Sequence, residues 1–168
     1  FLTDNIVEAK EITNKLNKYN SERQEKEGNI FKQALEKLQT ENIENRNTIV
    51  LGGDNWYHGV IGIVASKLTE SFFKPTILVC FEGEEGKGSG RSIPSFDLHE
   101  ALSYSGDYLE KFGGHAMAVG LTLKKENFEN FKEKFEEFAE QKNIKQILPT
   151  IKIDCEISKN DLKLETVE

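Results

Sequence analysis

The chain has 168 residues, 37% hydrophobic and 30% charged, a composition that fits a globular domain with a real core. Its 29 acidic residues outnumber 22 basic ones for a net charge of −7, which excludes a protein gripping nucleic acid through bulk positive potential. No apolar run approaches the roughly 18 residues of a membrane span, and the polar opening after Phe1 reads as helix rather than secretory signal. A cytoplasmic protein with no membrane partner is expected, and the missing initial Met gives the expectation of a fragment.

A helix is predicted over residues 4–43. Ile6, Ala9, Ile12, Leu16 and Tyr19 fall at helical spacing, and Ile30, Phe31, Ala34, Leu35 and Leu38 continue it. Thr3 or Asp4 is expected to cap it, and Gly28 to interrupt it at a cost of about 1 kcal/mol. The Asn-rich stretch 41–47 reads as a connector. The apolar run 48–51, ending at Gly52-Gly53, predicts a buried strand. A helix follows over 60–73, with Ile61, Val64, Ala65 and Leu68 on one face, and Pro75 breaks the chain before a second strand over 76–81. Residues 82–86 are a turn, and 87–92 a third strand or a loop paired with the second. Short helices are expected over 98–104 and 107–112, then a strand over 118–123. The helix over 125–143 places Phe128, Phe131, Phe135 and Phe138 in one stripe, which reads as core. Pro149 ends a connector, 150–157 alternates like an edge strand, and 161–168 reads as the start of a further element. The fold class is therefore α/β: a mixed β-sheet flanked by helices and preceded by a long N-terminal connecting helix. Cys80 and Cys155 each lie in an apolar run and are expected as buried thiols, not a disulfide.

Three clusters could carry chemistry. In 86–92 (Gly-Lys-Gly-Ser-Gly-Arg-Ser), close glycines could turn amides toward an anion. Ser89 and Ser92 add hydroxyl donors, and Arg91 adds a planar fork that matches a phosphate. The same run also reads as a flexible turn, and it lacks P-loop spacing. In 113–120, Gly113-Gly114 precede His115, which could donate to a phosphate, act as acid or base, bind metal, or be a structural histidine in a tight turn. In 56–65, Trp56 and Tyr57 stand at a strand-to-helix turn where they could stack a base beside a helix N-terminus. The alternative is that Trp56 packs in the core while Gly59 and Gly62 permit close helix-to-sheet contact. The only histidines are His58, His99 and His115, none paired with a nearby ligand, and there is no CxxC motif. His99, between Asp97 and Glu100, reads as part of a solvated helix start. The clustered carboxylates and imidazoles of a two-metal site are not there to be assembled.

Taken in order, 16–24, the Gly59-to-Ser66 run, Gly88-Ser89-Gly90-Arg91-Ser92, Phe112-Gly113-Gly114-His115 and 151–157 resemble the RecJ family of bacterial single-strand exonucleases across most of the chain. The resemblance implies a connecting helical segment over 1–47, a DHH-associated α/β domain over 48–148, and over 149–168 a strand and the start of an OB-type domain. It implies five-prime degradation of single-stranded DNA by the parent protein, with manganese or magnesium held by an N-terminal DHH domain outside this chain. It implies phosphate binding by Ser89, Gly90, Arg91, Ser92, Gly113, Gly114 and His115, with His115 as a possible assisting group and no metal bound by this chain. Partners would be single-stranded DNA and the DHH domain of the same protein. A related DHH-family phosphodiesterase acting on oligonucleotides or cyclic dinucleotides is the alternative, and a non-enzymatic interaction module is the third. Two positions depart from the family pattern: Tyr57 stands where His usually follows Trp, with His58 one place later, and Val119 replaces a usual Ala.

Overall fold

The computed structural model describes residues 2–41, 43–144, 150–151 and 153–158. Its centre is a five-stranded mixed sheet of order β1-β2-β3-β5-β4. The strands are β1 (Ile49–Asp54), β2 (Thr76–Glu82), β3 (Glu85–Arg91), β4 (Lys111–His115) and β5 (Ala118–Lys124). β1 and β2 run parallel, linked by the crossover helix α2 (His58–Phe72), and every other pairing is antiparallel.

Helices cover both faces. On one, α3 (Leu98–Tyr104) and α4 (Phe128–Gln141) close an apolar core. The phenylalanine stripe does what its spacing predicts: Phe131 and Phe135 are fully buried and Phe138 nearly so. Phe96 meets Phe135 and Phe138 edge-on at 5.9 and 5.7 Å, and Phe81 meets Phe128 at 5.3 Å. Each such side chain contributes about 1.5–3 kcal/mol of burial. A buried carboxylate ties α4 to the start of β1. Glu136 accepts from the Asn47 amide and side chain (2.6 and 2.8 Å) and from the Thr48 amide and hydroxyl (3.0 and 2.5 Å).

On the other face, α2 lies across β2 and β3, and the C-terminal half of α1 (Ile6–Thr40) packs on α2 through Ile30, Ala34 and Leu38. Gly28 does not interrupt α1. Glu27 is buried and ion-paired to Lys67 of α2 at 2.5 Å, and this tertiary anchor outweighs the roughly 1 kcal/mol cost of a helical glycine. The cap is Asn5, not Thr3 or Asp4: its Oδ1 accepts from the Val7 and Glu8 amides at 3.0 and 3.4 Å. In the first half of α1, Ile6, Ile12, Leu16 and Tyr19 are exposed, so that part of the predicted stripe packs on none of the described residues.

Three further expectations are corrected. The helix expected over 107–112 is a single 3-10 turn, Gly106–Tyr108, followed by β4. The Glu110 amide donates to Thr122 O at 2.8 Å, so pairing with β5 overrides a helix too short to stabilise itself. The strand expected over 150–157 forms no ladder at its described residues, and Ile151, Ile153 and Ile157 are exposed. Cys80 is buried as expected, but Cys155 is exposed. The element expected over 161–168 lies outside the described residues.

Candidate nucleic-acid interface

The glycine-rich segment Glu85–Arg91 is not a phosphate-cradling loop. It is the middle strand of the sheet, and its backbone is committed to ladders with β2 and β5. What remains is the alternation of its side chains. Gly86, Gly88 and Gly90 face the α3/α4 core, where any Cβ would meet Val79, Leu121 or Val119 at 2.8 Å. They are glycines because neighbouring strands fill that space. Lys87, Ser89 and Arg91 point the other way, toward α2, and are half-buried.

The register extends this face over three strands. Arg91 pairs with Ala118, which pairs with His115. Ser89 pairs with Gly120 and Gly113 in the same way, and Lys87 with Thr122 and Lys111. Directly opposed residues share a face, so these nine form a three-by-three grid with a floor of small residues. Because α2 stops at β3, Gly120 and the whole of β4 are exposed. The result is an open cleft of about 450 Å³ lined by Ser89, Arg91, His58, Gly62 and Gly120. A contiguous hollow of about 270 Å³, sharing His58, Gly88 and Gly120, is lined by Lys87, Lys111 and Thr122.

Arg91 is held in place. Its Nη1 donates to Gly90 O at 2.7 Å and to Ser89 Oγ at 3.2 Å, while Thr69 Oγ1 of α2 donates to Arg91 O at 3.3 Å. The guanidinium lies over Gly62: a Cβ there would stand 3.0 Å from Nη2 and 2.9 Å from Ser89 Oγ. Among the described residues no carboxylate pairs with Arg91, which lines the cleft, or with Lys111, which lines the smaller hollow. The net acidity of the chain is thus locally reversed.

Not every expected residue reaches this face. Gly90 faces the core. Ser92 is buried and its hydroxyl donates to Phe96 O at 2.6 Å, a structural bond that shapes the turn after β3. Gly114 also lies off the grid. Its φ of +136° and the 2.4 Å separation between a Cβ there and Ala118 O make it the glycine that the tight β4–β5 turn requires. Trp56 is 4% exposed and its Nε1 donates to Gln33 Oε1 at 2.8 Å, so it offers no free face to a base. Tyr57 is exposed, but Lys26 sits over its ring at 4.2 Å. His58 lines both hollows despite its displaced position in the motif. Ser89, Arg91, Gly113 and His115 are brought together. Sequence reasoning misses Lys111, Thr122 and Gly120, because only strand register places them beside β3. Lys87 was legible in principle, since Lys87-x-Ser89-x-Arg91 alternates with glycines at the period of a strand.

Burial pushes the Cys80 thiol above its usual range, with Glu82 adding to the effect, so the sulfur beneath α2 stays neutral. Among the described residues no three His, Cys, Asp or Glu side chains group to hold a metal ion, and no helix is long and apolar enough to cross a membrane. His99 packs against Phe112 (ring centroids 5.9 Å apart) at the start of α3, where Asp97 caps the helix.

Residues 27–141 match the DHHA1 domain model. The chain belongs to the DHHA1 domain family. Across 99% of its length it is 33% identical to the single-stranded-DNA-specific exonuclease RecJ of Bacillus subtilis, covering 21% of that protein. It is 38% identical to RecJ of Escherichia coli over 82% of this chain and 25% of that protein. The crystal structure of RecJ from Thermus thermophilus in complex with Mg2+ superposes with a TM-score of 0.75 at 32% identity, covering 83% of this chain and 21% of that one. The DHHA1 chain therefore spans about a fifth to a third of the curated relatives it matches.

Proposed function

We infer that this DHHA1 chain is the strand-gripping wall of a single-strand DNA exonuclease of the RecJ kind. It would act beside a DHH domain that carries manganese or magnesium and performs phosphodiester hydrolysis. The observation that carries the reading is the grid: Arg91, Ser89 and His115 share one open face with a floor of small residues, backed by relatives named for single-stranded DNA.

The division of labour follows from the donor set. The metal would supply the activated water and offset charge at the scissile phosphate. No such ion fits the described residues of this chain, so its contribution is positional. Arg91, pre-oriented by Ser89 and Gly90 O, offers a charge-assisted fork to a phosphate, and His115 adds a donor two strands away. The exposed glycines Gly113 and Gly120 let a strand approach the sheet closely, where hydrogen bonds made away from bulk water are stronger. Fixing the strand against the metal site is worth a large share of the barrier when the geometry is rigid.

The test is reconstitution. This chain, mixed with a separately expressed DHH domain and manganese, should degrade single-stranded DNA, and Arg91→Ala should abolish that activity. Equal degradation with the variant would remove Arg91 from the site and contradict the reading.

A further inference from the structure

We propose that the row formed by Lys87, Thr122 and Lys111 is a second phosphate subsite, so that the face engages a strand through two phosphates that stand two steps apart along it. This rests on the reading of the Arg91 row as the first. Three observations carry it. The row lines its own hollow of about 270 Å³, contiguous with the larger cleft. Lys87 and Lys111 flank Thr122 on directly paired positions, so two long cationic side chains and a hydroxyl converge over one point of the sheet. Their charge is uncommitted: Lys111 has no ion-pair partner among the described residues, and Lys87 has only Glu85 at 3.8 Å, a solvent-exposed pair of little strength.

The spacing supplies the substrate class. Lys87 lies four residues before Arg91, and each two-residue step along a strand covers about 6.7 Å. That step is comparable with the separation of successive phosphates in an extended single strand, so Lys87 and Arg91, two steps or roughly 13 Å apart, match one phosphate and the next but one. Ser89 stands midway, bonded to Arg91, so the donors form a track along β3 rather than an isolated pocket. A mononucleotide would fill only the Arg91 row. The inferred ligand is an extended single strand of three or more phosphodiesters, and the face discriminates by length.

The experiment is a pair of amide NMR titrations of the 168-residue chain at low salt, one with a tetrathymidylate and one with thymidine monophosphate. The tetranucleotide should shift amides in both the Ser89–Arg91 and the Lys87, Lys111 and Thr122 positions, and the mononucleotide only the former. Lys87→Gln combined with Lys111→Gln should weaken tetrathymidylate about tenfold and leave the monophosphate unchanged, with a well-dispersed spectrum showing the fold intact. Wild-type-like tetranucleotide affinity in the double variant, or equal shifts from both ligands, would overturn the second subsite while leaving the Arg91 row standing. No shift from either ligand would overturn both.

Discussion

The two faces of β3 present opposite solutions built from one heptapeptide. Toward α3 and α4 the strand offers only Gly86, Gly88 and Gly90, and the surrounding Val79, Leu121 and Val119 fill the space to make a sealed apolar layer. Toward α2 it offers Lys87, Ser89 and Arg91 above an incompletely covered sheet. The difference teaches that a glycine-rich, cationic run need not be a flexible anion loop. Here the glycines belong to packing and the charges to the cleft, separated by the two-residue period of a strand.

That contrast can be broken from the closed side first. Glu136→Ala should destabilise the fold by roughly 3 kcal/mol, because the buried Asn47 and Thr48 donors lose their acceptor. Chemical denaturation would show the loss. Gly88→Val should cost about 2 kcal/mol by overpacking against Leu121 and Val79, on the same scale of measurement.

From the open side the expected changes in stability are smaller and the functional ones larger. Gly62→Ala puts a methyl against the guanidinium of Arg91 and against Ser89 Oγ, while a helical glycine is replaced by a better helix former. The net change in stability should stay within about 1 kcal/mol, whereas single-strand affinity should fall several-fold as the guanidinium is displaced. Unchanged affinity would mean that Arg91 is not held in its binding position by α2.

The smallest effect concerns how α1 is fastened to that side. The hydrogen bond from Lys67, helped by its charge and by Arg23, holds the Glu27 carboxyl below the usual carboxylate range against the opposing effect of burial. A depressed folded value means that the stabilisation is complete above the ordinary carboxylate pKa of about 4.3 and is lost as the pH falls through the lower folded value. The protection factors of the Ile30 and Ala34 amides, exchange corrected for its intrinsic pH dependence, should therefore fall on acidification below that range. Glu27→Gln should remove this acid dependence and leave the protection factors lower at neutral pH.

Much of the architecture was legible in the sequence. The α4 phenylalanine stripe, β2 after Pro75 and α3 follow directly from periodicity and breakers, because in each the local pattern and the tertiary packing agree. The errors fall where long-range pairing decides. The stretch 107–112 was read as a helix, and β4 was missed, because nothing local to Lys111–His115 shows that β5 waits to pair with it. Trp56 was offered as a stacking residue because the sequence does not show Gln33 of α1 accepting its indole N–H. The candidate site was half legible. Ser89, Arg91 and His115 stand out by residue type, but Lys111, Thr122 and Gly120 join them only through register. Gly90 and Ser92 looked equivalent to their neighbours until strand alternation turned them inward or buried them.

The central claim is that the open face, and not the net charge of the chain, binds single-stranded DNA. Fluorescence anisotropy of a labelled single strand, titrated with wild type and Arg91→Ala over a range of salt, tests it most directly. The account predicts measurable binding at low salt, a loss of about tenfold or more with Arg91→Ala, and a salt slope shallower by about 0.7 for the phosphate contact removed. Equal affinity and equal slope in the two proteins, with thermal unfolding unchanged, would contradict it.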